Sequence, residues 1–337
     1  METEKFYKQH AGKAVVTDER FKLIMAIALD PTADYKNGVI RCITSRSGEI
    51  GIKGNLDRSV LHFVKKNQAG IFEIGEQMYI KNGKDIIDNL LKNGGDFIGL
   101  EDPDIWIDEK TGRKHLYFTI PIIFLDDHEK NQIYLGHAVG KDLNSLEMTE
   151  PVLSPVNGEG AKEVSIAPVN KNGFRFNLVE SKNCIGKTSY SVVKIAVAED
   201  MGKSWKYGET VFHPKEQKIP WIGGHASPGP LLPKDFIDVG EGKMLGIMNG
   251  REANKKVGNE IIYGIFSVGL FIYDYENGKI DWVSPEPLIR DSEARTITFA
   301  SQFVPTENGK GILYAHVDDS FVRAYTLEAD KIRILLP

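Results

Sequence analysis

Cysteine is scarce in this chain, with two residues, Cys42 and Cys184, among 337. They lie far apart beside apolar runs, which predicts two buried free thiols and not a disulfide framework. Long hydrophobic runs are missing as well. The most apolar stretch, residues 264–273, is too short to span a bilayer and is followed by Asp274. The opening Met-Glu-Thr-Glu-Lys-Phe-Tyr has no basic start leading into an apolar segment, so no secretory leader and a cytoplasmic location are expected. Neither sign of charge dominates: 42 Lys and Arg face 47 Asp and Glu, for a net charge of −5. That argues against a nucleic-acid or membrane-surface partner. Helical periodicity is sparse, confined to residues 59–66 and to residues 84–92, where Ile86, Ile87, Leu90 and Leu91 fall at helical spacing. His62, His115 and His137 lack metal-ligand spacing, so neither a catalytic metal nor another cofactor is expected. Nothing in the pattern speaks to oligomeric state.

What fills the chain is short strand patterns broken by Gly, Pro, Asn and Asp. They recur in pairs. Residues 115–123 match 132–139, 174–179 match 191–198, 243–248 match 261–273, and 311–316 match 321–327. With the strand at 39–44, this makes five units of roughly 60–70 residues, longer than a minimal ~40–50-residue blade. The pattern predicts an all-β, five-bladed β-propeller occupying 1–337 as one domain, after a short lead-in over 1–20. The run Asp200-Met-Gly-Lys-Ser-Trp205 has the spacing of a structural Asp-box hairpin, and Asp142 sits in a looser version one unit earlier. The Gly- and Pro-rich run 221–233 carries Trp221 and His225 and reads as an ordered loop, not a linker.

Two adjacent carboxylates, Glu101 and Asp102, precede Pro103. Proline biases the residue before it toward extended backbone, which places Asp102 at a strand mouth. Asp30 precedes Pro31, and Glu163 precedes the run Val164-Ser-Ile-Ala-Pro168. The three lie 72 and 61 residues apart, near one unit each. In a propeller, such positions converge on one end of the axis. Carboxylates sharing a cavity have their proton affinities driven apart, which fits one to donate a proton and another to stay ionised. That is the pairing glycosidic-bond hydrolysis requires. His225 and Trp221 are further candidates facing the cavity, and Trp106 is a second candidate for stacking on a sugar ring.

Several segments resemble glycoside hydrolase family 130, the mannoside phosphorylases and mannosidases. Phe97-Ile-Gly-Leu-Glu-Asp-Pro103 resembles its Gly-x-Glu-Asp-Pro motif, which implies a general acid at Asp102. Ala138-Val-Gly-Lys-Asp-Leu143 with Glu150-Pro-Val-Leu-Ser-Pro155, and Ile222-Gly-Gly-His-Ala-Ser-Pro-Gly-Pro230, are similar to further family segments. So are Pro285-Glu-Pro-Leu-Ile289, Phe303-Val-Pro305 and Ala315-His-Val-Asp-Asp-Ser320, the last placing Asp319 on a family Asp. The resemblance implies an enzyme acting on a small carbohydrate, a β-mannoside, with Glu163 or Asp30 activating water. It adds inorganic phosphate as a second candidate partner. Three departures matter. Asp104 stands where Arg is usual, Met248-Asn249-Gly250 where Tyr-His-Gly is usual, and Val179-Glu180 where His-Arg is usual. Losing cations and keeping carboxylates favours an inverting hydrolase over a phosphorylase, and a non-catalytic sugar-binding propeller is the third alternative. Arg46, Arg175, Lys218, His225 and Arg251 are the residues that could rebuild an anion site. Substrate contacts are expected from Glu101, Arg46, Trp221, His225, Asn249, Arg251 and Asp319.

Overall fold

The computed structural model describes residues 6–17, 19–48, 56–186, 188–258, 260–307 and 309–337. The fold is all-β. Its strands fall into five antiparallel units of four main strands each. Unit one is Ile24–Leu29, Asn37–Ser47, Leu56–Lys66 and Phe72–Gln77. Unit two runs Glu101–Ile107, Lys114–Ile123, Gln132–Gly140 and Glu147–Met148; unit three runs Ala161–Ser165, Arg175–Ile185, Thr188–Ala198 and Lys206–Phe212. Unit four is His225–Leu231, Lys243–Arg251, Phe266–Asp274 and Lys279–Val283. Unit five takes Thr298–Pro305, Lys310–Val317 and Phe321–Glu328, and its fourth strand is Tyr7–Lys13 from the other end of the chain, with Tyr7 opposite Leu327. The stretch expected as a lead-in is thus part of the last sheet.

The first strand of each unit touches the first strands of both neighbours, and unit five touches unit one, so these contacts run full circle. Five apolar cores follow the same order, each between two adjacent units. A strand packed on both faces reads as a continuous apolar run, as the first strand of unit one does. In unit one all six residues of Ile24–Leu29 are buried. The Asp-box reading matches the geometry: the Asp200 side chain accepts from the Gly202 amide at 2.9 Å, and Trp205 packs on Tyr117 with ring centroids 5.2 Å apart.

Three local expectations are corrected. Residues 59–66 lie in a strand and not a helix, because every second residue from Asp57 to Leu61 turns inward. The inward residues at that end are polar, which hid the alternation. Residues 261–265 do not continue the unit-four strand, since Lys255–Val257 and Glu260–Ile262 pair only with each other as a separate ribbon. Cys42 is buried, but Cys184 is exposed near a hairpin tip. Among the described residues, no helix is long and apolar enough to cross a membrane.

Candidate active site

Every first strand carries a register shift: at Met25/Ile27, Glu101/Asp104, Lys162/Val164, Pro228/Leu231 and Ala300/Gln302. In units one to three the bulged residue is a non-glycine held at positive φ: Ala26 at 44°, Asp102 at 47° and Glu163 at 50°. Such backbone costs on the order of 1–3 kcal/mol and persists only where its surroundings impose it. Bulges also re-aim a side chain out of the sheet. Here they turn Asp102 and Glu163 toward a common axial cavity of about 220 Å³.

The position matching these two in unit one is therefore Ala26, and Asp30 lies four residues beyond it. Asp30 caps the turn Pro31–Ala33, accepting from the Thr32 amide at 2.9 Å and the Thr32 hydroxyl at 2.7 Å, and it pairs with Lys114. The structure does not bring it to Asp102 or Glu163. Its Asp-Pro signature is that of a turn cap.

Asp102 and Glu163 are side-chain hydrogen-bonded to each other. Burial first, and the neighbouring Asp102 second, push the Glu163 carboxyl well above the usual glutamate range. Arg41 holds the other side of the pair. Its guanidinium donates to Asp102 at 2.9 Å, to Glu101, and to the Ser59 hydroxyl at 3.1 Å. Burial outweighs Arg41 at Glu101, whose carboxyl rises to about 7. Arg41 lies inside the apolar run Val39-Ile-Arg-Cys-Ile43. A lone charge in such a run was the signal available in the sequence, because a buried charge demands partners.

Glu180 was noted there only as a departure and becomes a central residue. Its carboxylate is 3% exposed, 3.1 Å from His225 Nε2 and 3.4 Å from Lys162 Nζ. Burial would raise it, but His225 and Lys162 hold it far below the usual range. Lys162 is also close enough to Asp102, Glu163 and Glu101 to feel all three, and Glu180 above all keeps it protonated. Lys162, Glu180, Ser181, Ser191 and His225 line a second cavity of about 290 Å³. Around these groups the hydroxyls of Thr119 and Ser181 and the Nε of Arg251 are buried without a hydrogen-bond partner. A polyhydroxylated ligand would satisfy them.

The other expected residues divide. Arg46 clamps Asp57 at 2.7 and 2.6 Å and donates to the Asp319 carbonyl at 2.9 Å. The Asp319 carboxylate is 3.1 Å from His316 Nε2, and that contact keeps it low against burial. Arg251 pairs opposite His225 across the strands, stacks on Phe266 and makes no ion pair among the described residues. Trp221 is 3% exposed, its indole donates to the Ser284 carbonyl at 2.9 Å, and its ring covers Gly250 and Gly269. Asn249 is fully buried and clasps both backbone groups of Ala300, at 3.0 and 2.8 Å. Neither Trp221 nor Asn249 is presented to a ligand. Arg175 is engaged by the Ala167 carbonyl and Glu109 beneath Trp106, and Lys218 ends the short helix Pro214–Gln217.

One glycine fixes the approach to the site. Gly99 sits at φ 127°, and a Cβ there would lie 1.9 Å from the Ser59 carbonyl oxygen. Gly99→Ala must push the strand carrying Glu101 and Asp102 away from Ser59 and Arg41. The expected result is a loss of about 2–4 kcal/mol in denaturant unfolding, and a stability unchanged within error would refute this account.

Solved structures share this fold. A protein from work showing that the GH130 family of mannoside phosphorylases contains glycoside hydrolases that target β-1,2 mannosidic linkages in Candida mannan superposes with a TM-score of 0.68 at 15% identity, over 96% of this chain and 94% of that one. The chain has the fold of glycoside hydrolase family 130. A glycosyl hydrolase from Bacteroides ovatus matches with a TM-score of 0.67 at 16% identity, over 96% and 94%. The β-1,2-mannobiose phosphorylase of Listeria innocua, solved with β-1,2-mannobiose, matches with a TM-score of 0.65 at 12% identity, over 98% and 99%. No protein-family model matches the sequence, and no curated protein does.

Proposed function

We propose that this protein is a glycoside-cleaving enzyme of the family 130 type, built as a five-bladed β-propeller, that hydrolyses short β-mannosides with inversion. The observation that carries the reading is the meeting of Asp102 and Glu163, bulged out of adjacent units and hydrogen-bonded, with Glu180 facing them across Lys162. Burial and the neighbouring Asp102 favour the protonated form of Glu163, so the Asp102–Glu163 pair supplies the acid for the departing sugar oxygen. Glu180, ionised beside Lys162 and His225, takes the water-activating role that Glu163 or Asp30 had seemed to offer. Lys162 and His225 keep Glu180 ionised, and it takes the water's proton as that proton turns acidic in the transition state.

Hydrolysis is favoured because the cations already face carboxylates: Arg41 meets Glu101 and Asp102, Arg46 meets Asp57, Lys162 and His225 meet Glu180. Phosphate is an anion that needs free positive charge and no base. One observation favours the phosphorolytic alternative, the buried and unpartnered Nε of Arg251 opposite His225. A panel of β-mannosides incubated with and without phosphate, with product anomers followed by NMR, separates the readings. Release of α-mannose without phosphate is expected. An absolute requirement for phosphate would replace hydrolysis by phosphorolysis, and binding without turnover would leave a sugar-binding propeller.

A further inference from the structure

We infer that the axial cavity is a water and proton path into the reaction site, with Asp104 as its relay group. The inference rests on the hydrolytic reading above. The cavity is lined by the first strands of all five units. Asp102, Glu163 and the matching bulge residue Ala26 mark one level of it; Leu29, Pro31 and Tyr35, further along the unit-one strand and its turn, and Pro233, just past the unit-four strand, lie beyond that level. Between them the polar lining is Asp104, Ser165, Ser301 and Gln302. Three of these are committed to joining neighbouring strands. Ser165 donates to the Gly229 carbonyl at 2.6 Å, Ser301 accepts from the Ile27 amide at 3.1 Å, and Gln302 accepts from the Leu29 amide at 2.8 Å.

Asp104 is different. Among the described residues its carboxyl accepts from the Ile105 amide and meets no cation, and burial lifts it to about 7. The titratable groups around it are Asp102 and Glu163 on the same cavity, Tyr35 further along it, Tyr117 on the paired strand, and Arg175 beyond Trp106. A group poised near neutrality passes protons in either direction with little driving force.

The chemistry calls for such a route. In each turnover the pair gives one proton to the departing oxygen, and Glu180 gains one from the attacking water. No net proton is consumed, but the pair must regain one and Glu180 must release one. A sugar seated over Lys162, Glu180 and His225 covers the outer approach. Water and the returning proton then reach Glu163 from the Tyr35 end, through Asp104.

Two measurements decide it. In Asp104→Asn and Asp104→Leu, kcat on a β-mannoside should fall by about tenfold with KM unchanged. It should recover with small diffusible acids such as imidazole, and show a larger solvent deuterium isotope effect. Asp104→Glu should retain activity. Unchanged kcat and isotope effect in the Asn and Leu variants would overturn the inference. Independently of turnover, a high-resolution crystal structure should hold a row of ordered waters from Tyr35 past Asp104 to Glu163, and a dry cavity would overturn it even if the variants failed to fold. A wild-type protein that cleaves no mannoside would sink the functional reading while the water row still tested the path.

Discussion

Asp102→Asn should lower kcat on an unactivated β-mannoside by about 10³–10⁴-fold while leaving the fold intact. The amide oxygen can still accept from Arg41, whose other contacts to Glu101 and Ser59 remain. What disappears is the carboxyl through which the pair hands its proton to the departing oxygen, and with it the neighbour that favours the protonated form of Glu163. Residual activity should therefore fade at lower pH than in the wild type. Aryl mannosides with strongly acidic leaving groups need no proton and should suffer far less, which a comparison of the two substrate types reads directly. A loss below tenfold on the unactivated substrate would remove Asp102 from the chemistry.

Glu180→Ala should be almost as damaging, about 10²–10⁴-fold in kcat, for a different reason. Removing the carboxylate deletes the group assigned to water and leaves Lys162 and His225 without their common partner. A small anion such as azide or formate, drawn to the vacated space, should restore turnover and give an inverted product. Phosphate-dependent turnover that survives the substitution would instead mark a phosphorylase. The two outcomes cannot be confused, because azide rescue gives a mannosyl azide and phosphorolysis gives a mannosyl phosphate.

The site also writes a pH signature into stability. A raised folded-state pKa means the native protein binds more protons than the unfolded chain, so the associated stability is present at low pH and is lost as pH rises through the folded value. Glu163 is raised, and Glu101 and Asp104 each reach about 7. Glu180 is lowered and acts oppositely, adding stability above the ordinary glutamate range that is lost only in acid. Buried His115 and His137 are lowered and oppose this up to the ordinary histidine value of about 6.5. Between pH 6.5 and 8 the raised groups decide the sign, so unfolding midpoints should fall with rising pH. Glu163→Gln should flatten that slope, and a midpoint constant or rising over this interval in the wild type would contradict the assignment.

Much of the architecture was legible because strand pairs and turn residues are local signals. The pairs at 115–139, 174–198 and 311–327 were visible as alternating runs about a break, and the structure retains them. Asp102 and Glu163 were legible from their spacing. Asp30 misled because spacing cannot see a bulge. The repeat phase in unit one is set by Ala26, which has no functional group to announce it. Arg41 was missed because it stands inside an apolar strand and its carboxylate partners come from the next unit, and Glu180 because its partners, Lys162 and His225, lie on other strands. Residues 59–66 read as a helix for the same reason, since the inward Asp57 and Ser59 serve the site and not the core.

The strand at Tyr7–Lys13 has a consequence for biosynthesis. Its hydrogen-bonding partner, Phe321–Glu328, is synthesised some 320 residues later, so at ~5–20 residues per second the earliest segment waits on the order of tens of seconds for its mate. Through that interval the nascent chain carries Tyr7–Lys13 without its ladder partner, the kind of segment that recruits foreign strands. The ribosome-bound intermediate, and not the finished protein, is where this molecule is most exposed to aggregation.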